Sequence, residues 1–253
     1  MNKTHKMLFA AVALVISGTA MAKDTVTIAT DATFPPFESV DASGKLVGYD
    51  IELADAVCKA AKLDCNIIGA AWEGMIPGLL SKKYDALISQ LTVTEARRKV
   101  MAFSDVYELP TFRFVARKGA NLTITPEGLK GKTIAVQTGT PMDAYVTKNF
   151  PDSKIVRYAS GSEPYLELAA GRADVHLSYE AQILFSFLRK DEGKEFELVG
   201  KSLTGKDAPE FGEGVAIAIN KNNKALVEKI NAGLAAVRES GQLDALNAKY
   251  FGQ

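Results

Sequence analysis

Cysteine, histidine and tryptophan are scarce in this chain of 253 residues, which holds two, two and one of them. One histidine, His5, lies in the first few residues, so His176 stands alone in the rest of the chain. A single histidine with cysteines spaced C-x6-C (Cys58 and Cys65) does not make a metal centre, which needs several ligands at matched short spacings. An excess of charge is also missing. Lys+Arg and Asp+Glu both number 30, so nothing draws the chain to nucleic acid or to an anionic membrane. There is no G-x-S-x-G, no HExxH, no G-x-G-x-x-G and no Cys–His pairing, so no motif asks for catalysis. Thr138-Gly-Thr140 is too short for a phosphate-cradling loop and has no lysine in the required place. No cofactor, no metal and no catalytic residue is therefore expected.

Long apolar runs are absent as well. The longest, Met7 to Ser17, falls well short of the roughly 20 residues a bilayer needs. It follows two lysines and precedes the small-x-small sequence Ala20-Met-Ala22, which is the pattern of a secretory signal peptide cleaved after Ala22. No cysteine follows the run, so a lipid anchor is not expected there. Once Lys3 and Lys6 are gone, 28 bases face 30 acids. Export implies an oxidising compartment, and Cys58 and Cys65 both lie beyond the leader, so a disulfide is favoured over two buried free thiols.

What is present is alternation. Thr25 to Thr30 reads as a strand and Phe34-Pro-Pro-Phe37 as a loop, since two prolines forbid a helix interior. Lys45 to Tyr49 reads as a short strand, Asp50 to Ala61 as an amphipathic helix, Cys65 to Gly69 as a strand, Trp72 to Ser81 as a helix and Tyr84 to Ile88 as a strand. The cycle restarts with strands at Thr133–Gln137, Lys154–Tyr158 and Ala173–Leu177 and helices at Met142–Asn149, Glu163–Ala170 and Gln182–Lys190. An apolar strand, Gly214 to Asn220, precedes helices at Lys224–Ser240 and Gln242–Lys249. Alternating strands and helices predict largely parallel sheets. A faint echo between Trp72–Gln90 and Glu163–Glu180 (helix, turn with Asp, strand, polar tip) predicts two α/β lobes of similar construction. Arg113–Lys118 and Lys201–Asp207 are the expected crossings. They make lobe 1 discontinuous (23–112 and 207–253) around lobe 2 (113–206).

In open α/β sheets ligands bind beyond the carboxyl ends of strands. Those ends carry Asp31, Ser89-Gln90, Thr138-Gly139-Thr140 and Ser178-Tyr179-Glu180. Thr92 to Glu95 fits a Ser/Thr-x-x-Glu helix start, and Arg97 then sits where the helix dipole is already positive. A guanidinium with free amides at a helix start makes an anion site, but the local sequence alone favours a surface arginine paired with Glu95 or solvent. Arg98 and Lys99 read as surface charges. Asp31 is either a turn aspartate or a receiver of a cation. Phe34, Phe37 and Trp72 are either core or a sandwich for an aliphatic or cationic group. His176, mid-strand between apolar residues, reads as a buried structural histidine.

Several stretches in order carry a resemblance: Thr30-Asp-Ala-Thr-Phe-Pro-Pro-Phe37, Gly48-Tyr-Asp-Ile-Glu-Leu53, Tyr84-Asp-Ala-Leu-Ile-Ser89, Thr94-x-x-Arg97, Phe103-Ser-Asp105, Val136-Gln-Thr-Gly-Thr140, Ala170-Gly-Arg-Ala-Asp174 and Phe211-Gly-Glu-Gly214. Over essentially the whole mature chain the sequence resembles the periplasmic polar amino-acid-binding proteins of ABC importers (the lysine/arginine/ornithine and histidine binders, solute-binding protein family 3). The resemblance implies a two-lobed type II periplasmic binding fold, a periplasmic location, a monomer, a small-molecule ligand and a membrane permease as partner. It implies that Arg97 clamps a ligand carboxylate with Thr92 and Thr140, and that Ser89 and Gln90 lie near the ligand amine. It places Asp31 at the distal cation, Phe34 and Trp72 on the side chain, Gln137 in the same wall, and Cys58 and Cys65 in the disulfide of the basic amino-acid binders.

One position departs from the pattern. Where those binders carry an aspartate for the α-ammonium, this chain has Tyr179, with Glu180 next. Either another carboxylate takes over or the ligand is a derivative such as an opine or an ω-amino acid. Met142 also stands where close relatives are polar. An exported enzyme on the same fold, similar to cyclohexadienyl dehydratase and with Glu180 as its acid, is the alternative expectation; a ligand sensor for a membrane receptor is another.

Overall fold

The computed structural model describes residues 25–252, so the expected leader and its cleavage after Ala22 lie outside the described residues. The first strands, β1 (Val26–Thr30), β2 (Thr33–Phe34), β3 (Glu38–Val40) and β4 (Leu46–Val47), are followed by helix α1 (Tyr49–Ala60) and β5 (Cys65–Gly69). Next come α2 (Trp72–Leu80), β6 (Ala86–Leu87), α3 (Glu95–Val100) and β7 (Met101–Phe103). The middle of the chain forms β8 (Phe112–Arg117), β9 (Thr133–Gln137), α4 (Pro141–Asn149), β10 (Lys154–Tyr158), α5 (Glu163–Ala169), β11 (Val175–Tyr179) and α6 (Glu180–Ile183). A π-helical turn to Leu188 continues α6, and β12 (Phe196–Leu203), β13 (Ala218–Asn220), α7 (Lys224–Glu239) and α8 (Gln242–Phe251) complete the chain.

Two five-stranded sheets result, ordered β5-β1-β6-β13-β7 and β10-β9-β11-β8-β12. Each has a parallel three-strand core, β5-β1-β6 and β10-β9-β11, in the same order relative to its connecting helices. The inner strands β9 and β11 are buried at nearly every residue because helices cover both faces, whereas the edge strands β5 and β10 are only partly covered. The remaining strands run antiparallel, because they are the ones next to where the chain passes from one sheet to the other. The echo between Trp72–Gln90 and Glu163–Glu180 is therefore a shared topology, α2–β6 matching α5–β11.

The structure moves several boundaries. Arg113–Lys118, expected as a crossing, lies almost wholly in β8, paired on both sides. The chain passes between sheets earlier, at Glu108–Thr111, after Tyr107 and Glu108 bond the backbone of Val215. Of the expected strand Gly214–Asn220 only Ala218–Asn220 pairs in the sheet. Val215 instead bridges Thr92 and Glu108. Tyr49 begins α1 rather than ending a strand, and β2, β3 and β4 form a small separate sheet. The cap of α3 is Thr94, whose hydroxyl accepts from the Arg97 amide at 3.3 Å, and not Thr92. Thr92 is one residue pair too early because its backbone is already held in an extended bridge.

α1 packs on α7 and α8. Gly233 of α7 faces α1 so closely that a Cβ there would sit 2.5 Å from the Val57 carbonyl oxygen, which is why the contact uses glycine. Cys58 of α1 and Cys65 of β5 form the expected disulfide. His176 is buried, its Nδ1 is 2.8 Å from the Ala135 carbonyl, and burial pushes its pKa down to about 4, as befits a neutral structural ring. No described helix is long and apolar enough to cross a membrane.

Candidate functional site

The carboxyl ends of the parallel strands of both sheets point at one another. β1 ends at Asp31, β6 leads into Ser89 and Gln90, β9 ends at Gln137 before Thr138-Gly139-Thr140, and β11 ends at Tyr179. The cavity between them is lined by Asp31, Phe34, Trp72, Ser89, Gln90, Gln137, Thr140 and Tyr179, all foreseen in the sequence, together with Glu38, Pro141 and Met142. Its volume is about 20 Å³, room for a single water molecule. Thr92 and Arg97 are not on its wall but directly behind it, against Tyr179, Trp72 and Gly139.

Side chains of one sheet bond those of the other across this cavity. The Trp72 indole donates to the Thr138 carbonyl at 2.8 Å, and the Gln137 amide donates to Asp31 at 3.1 Å. The Tyr179 hydroxyl donates to the Gln90 carbonyl at 2.8 Å and lies 2.6 Å from the Thr92 hydroxyl. The Gly161 amide donates to Thr33 at 3.1 Å. Phe34 stacks on Phe37 and meets Tyr179 edge-on at 5.5 Å, so Phe37 belongs to the core while Phe34 faces the cavity.

Arg97 is 8% exposed and forms no ion pair among the described residues. It donates to the Thr92 carbonyl at 2.9 Å and, loosely, to the Gly139 carbonyl at 3.4 Å, and it lies 5.6 Å from the Trp72 ring. Burial without a counter-anion pushes its pKa down to about 10. Arg98 and Lys99 pair with Glu213 and Glu95 at the surface, as expected of them. Thr140 caps α4: it accepts from the Asp143 amide and donates to the Gln137 carbonyl, and Gly139 before it takes φ 68°.

The carboxylates sit at the other end. Asp31 accepts from Thr33 and Gln137 and is pushed up by burial, and no lysine or arginine among the described residues pairs with it. Glu38, 1% exposed, accepts from Ser89 at 2.8 Å, and its Oε2 receives no donor from the surrounding hydroxyl and amide groups. Burial, and the carboxyl of Asp50 beside it, hold Glu38 well above the usual carboxylate range. Asp50 accepts from the Gln90 amide (2.7 Å), the Gln90 side chain and Tyr107, with burial raising it to about 6. Those bonds hold Gln90 in a left-handed turn, φ 44°, uncommon for a side chain of this size. Beyond Gln90, Glu108 accepts from its amide at 2.9 Å and is raised to about 8 by burial.

Sequence reasoning missed Glu38, Asp50 and Glu108. Glu38 follows the Pro-Pro-Phe turn into β3, and nothing in its local pattern separates it from a surface strand residue. Glu180 is not on the cavity wall. Arg113, Thr111 and Ser202 hold its two oxygens near the crossings.

A family model described as "Bacterial extracellular solute-binding proteins, family 3" matches residues 26–253. The lysine/arginine/ornithine-binding periplasmic protein of Escherichia coli (strain K12) is 36% identical over 237 residues, which cover 93% of this chain and 90% of that protein. Among solved structures, a Salmonella typhimurium periplasmic binding protein with high arginine specificity has a TM-score of 0.83 at 31% identity, over 90% of this chain and 99% of its own. An ancestral amino acid-binding protein, a precursor of cyclohexadienyl dehydratase, has a TM-score of 0.78 at 27% identity, over 90% and 95%. These neighbours are named as binding proteins rather than as enzymes. A match over nearly the whole described chain, on a two-lobed fold with strand ends converging on one cavity, means that this chain belongs to the bacterial extracellular solute-binding proteins, family 3.

Proposed function

We propose that the chain is the periplasmic receptor of an ABC importer, taking up a small solute that bears a carboxylate and a cationic or amine group. Lobe 1 (up to the crossing at Glu108–Thr111, and again from residue 207) and lobe 2 (112–206) part to admit the solute and close over it, since a cavity of about 20 Å³ admits no amino acid by itself. The observation that carries this reading is Arg97, a guanidinium buried between the lobes with no anion to neutralise it. Burying an unpaired charge costs several kcal/mol, and that cost is recovered when a solute carboxylate takes two of its free N–H donors. Asp31 and Glu38 at the opposite end offer carboxylate oxygens to a cation, with Phe34 and Trp72 flanking the space between. The names of the relatives, basic amino-acid binders of the periplasm, support the same solute class. Closure excludes water and so strengthens both charge contacts, and the closed form is what the permease reads. The receptor acts as a monomer, exported by its leader and cleaved after Ala22.

Calorimetric titration of the mature protein with basic amino acids, opines, ω-amino acids and plain carboxylates tests this. A solute of the class should bind at micromolar concentration or below, and Arg97→Ala should weaken it by about 100-fold or more. Unchanged affinity in Arg97→Ala would remove the guanidinium from the site.

A further inference from the structure

We propose that this receptor selects solutes whose carboxylate and cation lie at opposite ends, with no ammonium on the carbon next to the carboxylate: ω-amino or ω-guanidino carboxylic acids rather than α-amino acids. This rests on the receptor reading above and names its solute class.

The ground is the chemistry around Arg97. In an α-amino acid the ammonium nitrogen lies about 2.5 Å from the carboxylate carbon, from standard bond lengths and angles. A carboxylate on Arg97 therefore brings that ammonium near the groups around the guanidinium, Thr92, Gly139 and Trp72, and near Tyr179 and Gln90, which are bonded to Thr92 and to each other. An ammonium carries three donors and, once buried, needs an anion as well as acceptors. The acceptors here are all neutral. The Gln90 carbonyl accepts from the Tyr179 hydroxyl, the Thr92 hydroxyl then donates to the Tyr179 oxygen and keeps its lone pairs, and the buried Gln90 Oε1 accepts nothing among the described residues. They can receive an ammonium's protons, but none of them supplies the anion it needs. Tyr179 is 3% exposed, and burial raises its pKa, so it supplies no charge.

Among the described residues no carboxylate lines this end of the cavity, although Glu108 and Asp50 act on Tyr179 from behind Gln90. The wall contributed by the second sheet consists of Gln137, Thr140, Pro141, Met142 and Tyr179, every one neutral. Asp50 and Glu108 lie nearby, but on the far side of Gln90, and the amide and side chain of that residue are already bonded to them. Neither is on the cavity wall. The wall's two carboxylates, Asp31 and Glu38, belong to the end served by Thr33, Gln137 and Ser89. Charge is thus offered at two separated ends, with a neutral phenol filling the place beside the guanidinium.

Matched pairs decide the matter. The mature protein is titrated calorimetrically with L-lysine against 6-aminohexanoate and with L-arginine against 5-guanidinopentanoate. In at least one pair the solute lacking the α-ammonium should bind tenfold tighter or more. Tyr179→Asp, checked for folding by circular dichroism, should reverse the order. Tyr179→Phe, which adds no charge, should keep it. Tighter binding of lysine and arginine by the parent overturns the inference while leaving the receptor reading intact. An order unchanged in Tyr179→Asp also overturns it. If none of the four solutes binds the parent, both this inference and the carboxylate-and-cation reading fall together.

Discussion

β5-β1-β6 in the first sheet and β10-β9-β11 in the second share one strand order and one use of strand ends, yet they turn unlike walls to the cavity between them. The first contributes Asp31 and Glu38, with Arg97 and Asp50 close behind. The second contributes an amide, a hydroxyl, a proline, a methionine and a phenol. A topology built twice does not carry charge twice. Charge is costly to bury, so it is concentrated on the lobe whose small sheet, helix caps and hydroxyls can hold it, while the other lobe serves as a closing face. Such a division lets a solute settle on the charged wall before closure.

The sharpest break in that comparison is between the walls themselves. Asp31→Asn should weaken a cationic solute about 100-fold, whereas Gln137→Ala, opposite it, should cost only a few-fold, both read by calorimetry. Comparable losses would mean that the two walls share the work. The lobes also differ in their staple, since the described disulfide lies in the first alone. Cys58→Ser with Cys65→Ser should lower stability in urea by about 2–3 kcal/mol, the range for a short loop. Exchange of amide hydrogens should quicken first in α1 and β5. Equal loosening of both sheets would show that they unfold as one unit.

Acid and base should separate them too. Glu108, held up to about 8 when folded and near 4.5 when unfolded, binds more proton in the folded chain across that window. Stability from it is therefore complete below about pH 4.5 and falls as pH rises toward 8. Asp50, raised to about 6, adds to the loss in the lower part of that range. His176 of the second sheet runs the other way: its folded value is about 4 against 6.5 unfolded, so its contribution falls as pH drops through that interval. Urea unfolding across pH should show Glu108→Gln flattening the alkaline slope and His176→Gln the acid one, each on the order of 1–3 kcal/mol. The smallest effect concerns the seam. A Cβ at Gly161 would stand 2.5 Å from the Phe34 ring, so Gly161→Ala should hinder closure and weaken binding several-fold with little change in melting temperature.

Much of the architecture was legible because it rests on local periodicity. The stripes of Asp50–Ala61 and Lys224–Ser240 and the apolar runs at Thr133–Gln137 and Cys65–Gly69 each became the expected element within a residue or two. The misplacements fell where pairing comes from afar. Phe112–Arg117 is a strand because β11 and β12 flank it, and Thr92 is extended because Val215 bridges it. No window of neighbouring residues contains those partners. Asp31, Gln90 and Thr140 could be suspected as strand-end polar residues. Arg97 could be read either way until its burial was known.

From its sequence alone this chain determined two α/β units, their disulfide and the polar tips of their strands, since periodicity, turn residues and cysteine spacing act over short stretches. Only the tertiary structure decided that Glu38 joins Asp31 at one end, that Glu180 faces the crossings, and that the Tyr179 hydroxyl occupies the Gln90 carbonyl beside Arg97. Each of those is a contact between residues far apart in the chain: 51 positions for Glu38 and Ser89, 58 for Asp31 and Ser89, 106 for Asp31 and Gln137, and 89 for Tyr179 and Gln90. Their energy depends on which groups share a buried space, a quantity that exists only once the chain has closed on itself.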